Sequence, residues 1–252
     1  MKYFYLIQFQ YLGFRYHGWQ KQSIMITVQS TIESNIEKVL KHKKFQTLGA
    51  SRTDSMVSAE TSVFELIVEE ELNENFLNLM NLKLPQDIRL LSCKSVDKSF
   101  RIIGAFAKKE YHYYFSFGQK PHPFSAPFIA HFNENLDIAK MQKAASFFIG
   151  KNFFHNYCHK DRIDNFNKEI FICEIIPNEI LVANFFPKES YVLRIHGTSF
   201  MRHQIRLMMG ALLRVGLNQL QLKDLEKSLL REINQKEVFL APSAGLCLYR
   251  LE

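Results

Sequence analysis

The order of extended and helical segments is the feature that most restricts the folds available to this chain. Alternating apolar residues predict strands, and apolar residues at helical spacing predict helices. The first part of the chain reads strand, helix, strand, strand, helix, strand, at residues 3–11, 28–40, 45–49, 57–68, 72–82 and 88–94. This β-α-β-β-α-β order is that of a ferredoxin-like unit.

A similar order recurs in the second part of the chain. The patterns predict strands at 111–117, 170–176, 180–196 and 245–251, and helices at 137–149, 199–215 and 222–231. We therefore expect an α+β protein with two ferredoxin-like halves, residues 1–104 and 105–252. Because no low-complexity linker separates them, the halves are expected to join into one mixed, mainly antiparallel sheet, with helices on one face and a central cleft.

The charge balance favours a polyanionic partner. The chain has 32 Lys and Arg against 25 Asp and Glu, a formal net charge of +7. The four cysteines are scattered without a C-x-x-C pair, which is typical of reduced thiols in a cytosolic protein. No signal-peptide core is present, and no apolar run approaches the ~18 residues of a membrane span. We therefore expect a cytoplasmic protein with no membrane partner.

A loop between two predicted strands carries the first candidate chemical group. Residues 49–59 read Gly-Ala-Ser-Arg-Thr-Asp-Ser-Met-Val-Ser-Ala, which places Asp54 among small residues and near Arg52. A neighbouring arginine favours an ionised carboxylate, as a nucleophile requires. Spacing alone favours a simpler interpretation, in which Asp54 caps backbone N–H groups in a turn and Arg52 is a surface cation.

Three other segments have both a structural and a functional interpretation. Residues 16–22, Tyr-His-Gly-Trp-Gln-Lys-Gln, hold the only tryptophan, Trp19, which fits core packing or contact with RNA backbone. On the strand at 111–117, Tyr111 is either part of a tyrosine-covered sheet face or a ring that stacks on a base. On the helix at 199–215, Arg206 is either a solvated cation or a partner for a carboxylate.

Together these segments resemble, in the same order, the TruA family of tRNA pseudouridine synthases. Its signature loop is usually Gly-Ala-Gly-Arg-Thr-Asp-x-Gly-Val-His-Ala, and weaker similarities include Leu84–Ile88 and Ala241–Leu246. The resemblance implies that Asp54 is the nucleophile, that Tyr111 stacks on the target base, and that Arg206 pairs with Asp54. It also implies substrate-binding roles for a further set: Trp19, Gln20, Arg52, Thr53, Lys109, Arg202 and His203.

The resemblance implies a tRNA pseudouridine synthase acting on uridines in the anticodon stem-loop, so that the predicted cleft binds RNA. It implies tRNA as substrate and a homodimer. The reaction needs no external group, so we expect no cofactor. An alternative of another class is a non-catalytic RNA-binding or RNA-folding paralogue on the same scaffold.

Other residues either suggest a different site or depart from the family pattern. His155, Cys158 and His159 have the spacing of a metal corner but lack a second pair of ligands, so we expect no metal. The departures are Leu12 for Asp, Ser51 for Gly, Met56 for Gly, Ser58 for His, Thr61-Ser62 for Gly-Gln, Ile103 for Arg and Phe153 for Asp. A left-handed backbone at the family's Gly would strain Met56 and rearrange the loop.

Overall fold

The computed structural model describes residues 1–159, 165–231 and 239–252, which contain ten strands and five α-helices. The predicted α+β class is confirmed. The chain groups into two compact units: unit 1 is Met1–Ala107 with Leu248–Glu252, and unit 2 is Lys108–Cys247.

The strands are β1 (Tyr3–Tyr11), β2 (Phe45–Gly49), β3 (Ser58–Val68), β4 (Ile88–Val96), β5 (Lys109–Phe117), β6 (Ala130–Phe132), β7 (Gly150–Phe153), β8 (Asn167–Pro177), β9 (Tyr191–Gly197) and β10 (Leu246–Leu251). The helices are α1 (Val28–Leu40), α2 (Phe76–Lys83), α3 (Ile138–Ser146), α4 (Gln204–Gly216) and α5 (Leu222–Lys227). Two short 3-10 turns lie at Pro123–Ser125 and His155–Tyr157.

Unit 1 has the strand order β4-β1-β3-β2, with antiparallel pairing throughout. Helix α1 starts where predicted, because the Thr27 hydroxyl accepts a hydrogen bond from the backbone N–H of Ser30, and the Ser30 hydroxyl accepts one from the backbone N–H of Thr27. Alternate residues of β1, including Ile7 and Phe9, are fully buried, as is Ile36 of α1. The alternating apolar residues of β1 and the apolar residues at helical spacing in α1 are therefore both buried in the core of unit 1.

Unit 2 has the strand order β5-β9-β8-β7, again antiparallel, with β6 paired in parallel to the end of β5. Helices α3 and α4 lie against each other. The fully buried side chains include Tyr113 and Phe115 of β5, Leu193 of β9 and Met208 of α4. Strand β5 is buried along nearly its whole length and forms the centre of this unit.

Several predicted boundaries were wrong. The strand expected at 180–196 begins at Tyr191, because Asn178 bonds to Leu181 and Ser190 and closes residues 178–190 into a loop. Helix α4 begins five residues later than predicted, because His203 has a left-handed backbone. Shorter shifts affect α2, α3 and α5, and the sequence patterns missed β6 and β7.

No helix among the described residues is long and apolar enough to cross a membrane.

Candidate active site

Asp54 lies in a tight turn between β2 and β3. The backbone N–H of Val57 donates to the carbonyl oxygen of Asp54 at 3.2 Å, and Met56, inside the turn, has φ = +66°. The strain expected at Met56 is therefore present, and the side chain of Asp54 is half-buried. The turn therefore fixes the backbone from which the Asp54 carboxylate projects.

The segment from Gly13 to Trp19 is bonded to this turn through main-chain hydrogen bonds. Tyr16 accepts a hydrogen bond at its carbonyl oxygen from the N–H of Met56 at 2.9 Å, and the N–H of Trp19 donates to Thr53 at 3.2 Å. A β-carbon on Gly18 would lie 2.5 Å from the carbonyl oxygen of Thr53. Only glycine allows the two segments to approach this closely.

Trp19 is buried, with 2% of its surface exposed. Its ring packs on Phe9 and Phe64, at centroid distances of 5.1 and 6.0 Å. A β-carbon on Gly49 would lie 2.3 Å from the indole Nε1. This burial favours the packing interpretation of Trp19 over direct contact with RNA backbone.

The other predicted residues of unit 1 lie nearer its surface. Arg52 and Gln20 are exposed, and Thr53 is half-buried. The Thr53 hydroxyl is 2.7 Å from the hydroxyl of Tyr11, while the Gln20 amide donates to Gln29 at 3.0 Å. Arg52 and Gln20 are thus exposed to a large ligand, with the amide nitrogen of Gln20 bonded to Gln29, whereas the hydroxyl of Thr53 is engaged with β1.

In unit 2, Tyr111 and Lys109 point to the same face of β5, because side chains alternate along a strand. Tyr111 is 7% exposed, and its ring meets that of Phe200 edge-on at 5.4 Å between centroids. Lys109 is half-buried, and burial lowers the pKa of its ammonium group below the ordinary value. An amine in this environment is a less strongly hydrated cation than a surface lysine.

Arg206 lies in the first turns of α4 and is half-buried. Its Nε donates to the carbonyl oxygen of Ala241 at 2.8 Å. Close packing of this segment on α4 depends on Gly210, since a β-carbon there would lie 1.6 Å from the carbonyl oxygen of Phe239. The closing Ala-Pro segment of the chain therefore fixes the guanidinium of Arg206.

Arg202 and His203 lie just before α4 and meet residues from the region of the 3-10 turn at His155–Tyr157. The His203 ring is 5.7 Å from that of His159, nearly perpendicular to it, and the N–H of His159 donates to the carbonyl oxygen of Arg202 at 3.2 Å. Within the described ranges, no three His, Cys, Asp or Glu side chains form a group that could hold a metal ion. His155 and Cys158 are buried.

The structure brings Trp19, Gln20, Arg52, Thr53 and Asp54 together in unit 1. It places the other predicted residues, Lys109, Tyr111, Arg202, His203 and Arg206, in unit 2.

Sequence reasoning missed two residues that support the Asp54 loop. Tyr16 is 2% exposed, and its hydroxyl donates to Asp87 at 2.8 Å. Both stand in short motifs, Tyr16–Gln22 and Leu84–Ile88, that resemble the family pattern. That pattern was the one available signal for them, because neither the tyrosine nor the aspartate stands at a spacing that singles it out.

Comparison with known proteins agrees with these motifs. A family model described as tRNA pseudouridine synthase matches residues 144–252. A tRNA pseudouridine synthase A from Phytoplasma mali is 33% identical over 98% of this chain and 97% of its own length. One from Thermosipho africanus is 32% identical over 97% of each chain. A tRNA pseudouridine synthase A 2 from Desulfotalea psychrophila is 31% identical over 100% of this chain and 99% of its own. Since relatives at this identity match over nearly their whole length, the chain belongs to the tRNA pseudouridine synthase A family of isomerases.

Proposed function

We propose that this protein converts uridine to pseudouridine in the anticodon stem-loop of tRNA, with Asp54 as the nucleophile. The observation that carries the proposal is the turn that holds Asp54. Asp54 is half-buried on a loop whose main chain is bonded to Tyr16 and Trp19. A nucleophile needs this combination of access and fixed position.

The reaction is an internal exchange of bonds. The bond between C1′ of the ribose and N1 of uracil breaks, and a bond between C1′ and C5 forms. The proton on C5 leaves, and N1 gains a proton, so the product has the same composition as the substrate. Asp54 forms a transient covalent bond to the uridine, at the ribose or at the base, and leaves again when the new bond is complete.

The remaining residues supply binding and charge. The target uridine leaves the RNA helix, as substrates of base-modifying enzymes do, and stacks on Tyr111, whose ring is held by Phe200. Arg206 and Arg52 provide positive charge for the carboxylate or the RNA phosphates. Lys109, Gln20, Arg202 and His203 contact the RNA, while Thr53 and Trp19 belong to the substrate-binding loop and its support.

The charge of the chain supports a tRNA substrate. A formal net charge of +7 favours a polyanion, and binding is expected to weaken steeply as salt concentration rises. We also propose that the protein acts in the cytoplasm and as a homodimer, in line with the resemblance to the family.

The test is release of tritium from tRNA labelled at C5 of uridine, because the C5 proton must leave. Wild type is expected to release tritium, and Asp54→Asn to release none while still binding tRNA. Asp97→Asn is the matched control, since Asp97 is an exposed carboxylate of unit 1 that accepts a hydrogen bond from Ser99 at 2.8 Å. Wild type that binds tRNA without release would support the non-catalytic paralogue, and release by Asp54→Asn would exclude Asp54 as nucleophile.

A further inference from the structure

The turn after Asp54 has a residue that its backbone does not suit. Four described residues other than glycine have positive φ. Lys41 and Asn218 follow the ends of α1 and α4, where this conformation is common, and His203 precedes α4. Met56 alone among these four lies in a loop between strands.

The hydrogen bond from Val57 to Asp54 makes residues 54–57 a β-turn with Met56 at its third position. Ser55, at the second position, is not among the residues with positive φ. A positive φ at the third position alone is the mark of a type II turn, which normally has Gly or Asn there. A methionine in this conformation is strained, because its β-carbon comes too close to the following carbonyl oxygen. The turn must therefore be held by its neighbours.

Tyr16 stabilises the turn through hydrogen bonds to its carbonyl oxygen. Its carbonyl oxygen accepts from the N–H of Met56 at 2.9 Å and from the hydroxyl of Ser55 at 3.3 Å. On the other side, a β-carbon on Gly13 would lie 2.0 Å from the carbonyl oxygen of Val57. The turn is thus bonded on one side and closely packed on the other.

Tyr16 is itself fixed at its far end. Its hydroxyl donates to Asp87 at 2.8 Å, and the same carboxylate oxygen accepts from Arg15 at 3.0 Å. Burial, together with the bond to Asp87, raises the pKa of Tyr16 to about 12, so its hydroxyl remains a donor at neutral pH. Tyr16 therefore links Asp87, through its side chain, to the turn that carries Asp54, through its main-chain carbonyl oxygen.

We propose that Tyr16 and Met56 are positioning residues, which set the orientation of Asp54 through the backbone of the turn at residues 54–57. The inference rests on the proposed role of Asp54. Residue 56 acts through its φ angle and not through contact of its side chain with RNA. A misplacement of about 1 Å at a reacting group can lower the rate on the order of a hundredfold.

A substitution series at residue 56 separates backbone conformation from side-chain size. Met56→Gly and Met56→Asn suit a positive φ, Met56→Leu keeps the size of methionine, and Met56→Val is branched at the β-carbon and suits it least. We expect the kcat of the Gly and Asn variants to equal or exceed that of wild type and of the Leu variant. The kcat of the Val variant should be about tenfold below that of wild type. The KM for tRNA should stay constant across the series. A ranking by side-chain size, with Met56→Gly and Met56→Asn raised in KM, would overturn the inference.

A second set of variants tests the link through Asp87. Tyr16→Phe is expected to lower kcat about fivefold with KM unchanged, because its hydrogen bond to Asp87 is lost. Asp87→Ala should lower kcat at least as much, because it also removes the partner of Arg15. The double variant should lose no more than Asp87→Ala alone. Asp87→Asn keeps an acceptor oxygen and should retain most of the activity. Tyr191→Phe is the matched control, since its hydroxyl donates to Glu189 at 2.7 Å at the surface of unit 2.

The outcomes distinguish this inference from the proposed function. All rates are measured below the melting temperature of each variant, so that loss of folded protein does not contribute. Additive losses, or a rise in KM without a change in kcat, would show that Tyr16 has only a structural role. If Asp54→Asn keeps its activity, the proposed function fails whatever these variants do. If Asp54→Asn is inactive and Tyr16→Phe equals wild type, this inference alone fails.

Discussion

Arg206 and Ala241 hold each other through two hydrogen bonds. The Arg206 Nε donates to the carbonyl oxygen of Ala241 at 2.8 Å, and the N–H of Ala241 donates to the carbonyl oxygen of Arg206 at 3.2 Å. The first bond is made by Nε, the guanidinium nitrogen that is attached to the aliphatic part of the arginine side chain. A lysine has the same charge but no donor at that point.

Arg206→Lys is therefore expected to lose stability and activity together. The loss of a hydrogen bond from a charged group predicts a fall of about 1–2 kcal/mol in the free energy of unfolding. We expect kcat in the tritium assay to fall as well, although the charge is kept, because the ammonium is no longer fixed by Ala241. Urea unfolding and tritium release measure the two effects.

The control for this prediction is Arg250→Lys. Its Nε bonds to Glu252 at 2.8 Å in a partly exposed pair, where loss of the bond should cost no more than about 0.5 kcal/mol. If Arg206→Lys behaves like this control, Ala241 does not position Arg206.

Gly210→Ala is expected to unfold more easily because its β-carbon would meet the carbonyl oxygen of Phe239 at 1.6 Å. Backbone cannot move aside as a flexible side chain can, so we expect a loss of about 1–3 kcal/mol. Gly216→Ala is the control on the same helix, since its β-carbon meets the flexible side chain of Met141 at 2.6 Å. The helix preference for alanine offsets that contact by up to about 1 kcal/mol. Equal thermal melting of the two variants would contradict the packing described for residues 239–241.

Trp19→Phe is expected to lower stability without weakening tRNA binding. The cavity left beside Phe9 and Phe64 should cost about 2 kcal/mol, while KM for tRNA stays at the wild-type value because the indole is buried. Gln20→Ala provides the contrast, since Gln20 is exposed and proposed to contact RNA. It should raise KM with little change in unfolding. A raised KM for Trp19→Phe at full folding would favour direct RNA contact.

Glu110→Gln is expected to lower stability in a way that depends on pH. Burial alone raises the pKa of Glu110, but hydrogen bonds with Arg194 and His112, at 2.7 and 2.9 Å, bring it below the ordinary value. A lowered carboxylate pKa stabilises the fold above the unfolded value of about 4.3, and the contribution is lost as pH falls through the folded pKa. The difference of about 1–3 kcal/mol between wild type and variant at pH 7 should therefore shrink in acid.

Urea unfolding between pH 7 and pH 3 checks this prediction. Glu174→Gln is the control, because Glu174 bonds to the same Arg194 at 3.2 Å but its side chain is 46% exposed. A pH-independent difference for Glu110→Gln would show that Glu110 is not held ionised by its neighbours.

The sequence patterns located elements whose residues alternate or repeat over several turns. The bounds of β1 and β2 match the prediction, and α1 starts after Thr27 as expected. Their apolar periods reflect burial on one face, and the Thr27 cap is a local signal. The family motifs likewise identified the loop of Asp54 and the helix of Arg206, because short chemical motifs are readable without a fold.

Only the tertiary structure decided features that depend on distant partners. Strands β6 and β7 have three and four residues, too few to show a period, and form because β5 and β8 pair with them. The packing of Trp19 on Phe9 and Phe64 and the hydrogen bond between Met56 and Tyr16 involve segments that are far apart in the chain. Such contacts arise when packing brings main-chain donors and acceptors together, and no local pattern of side chains records them.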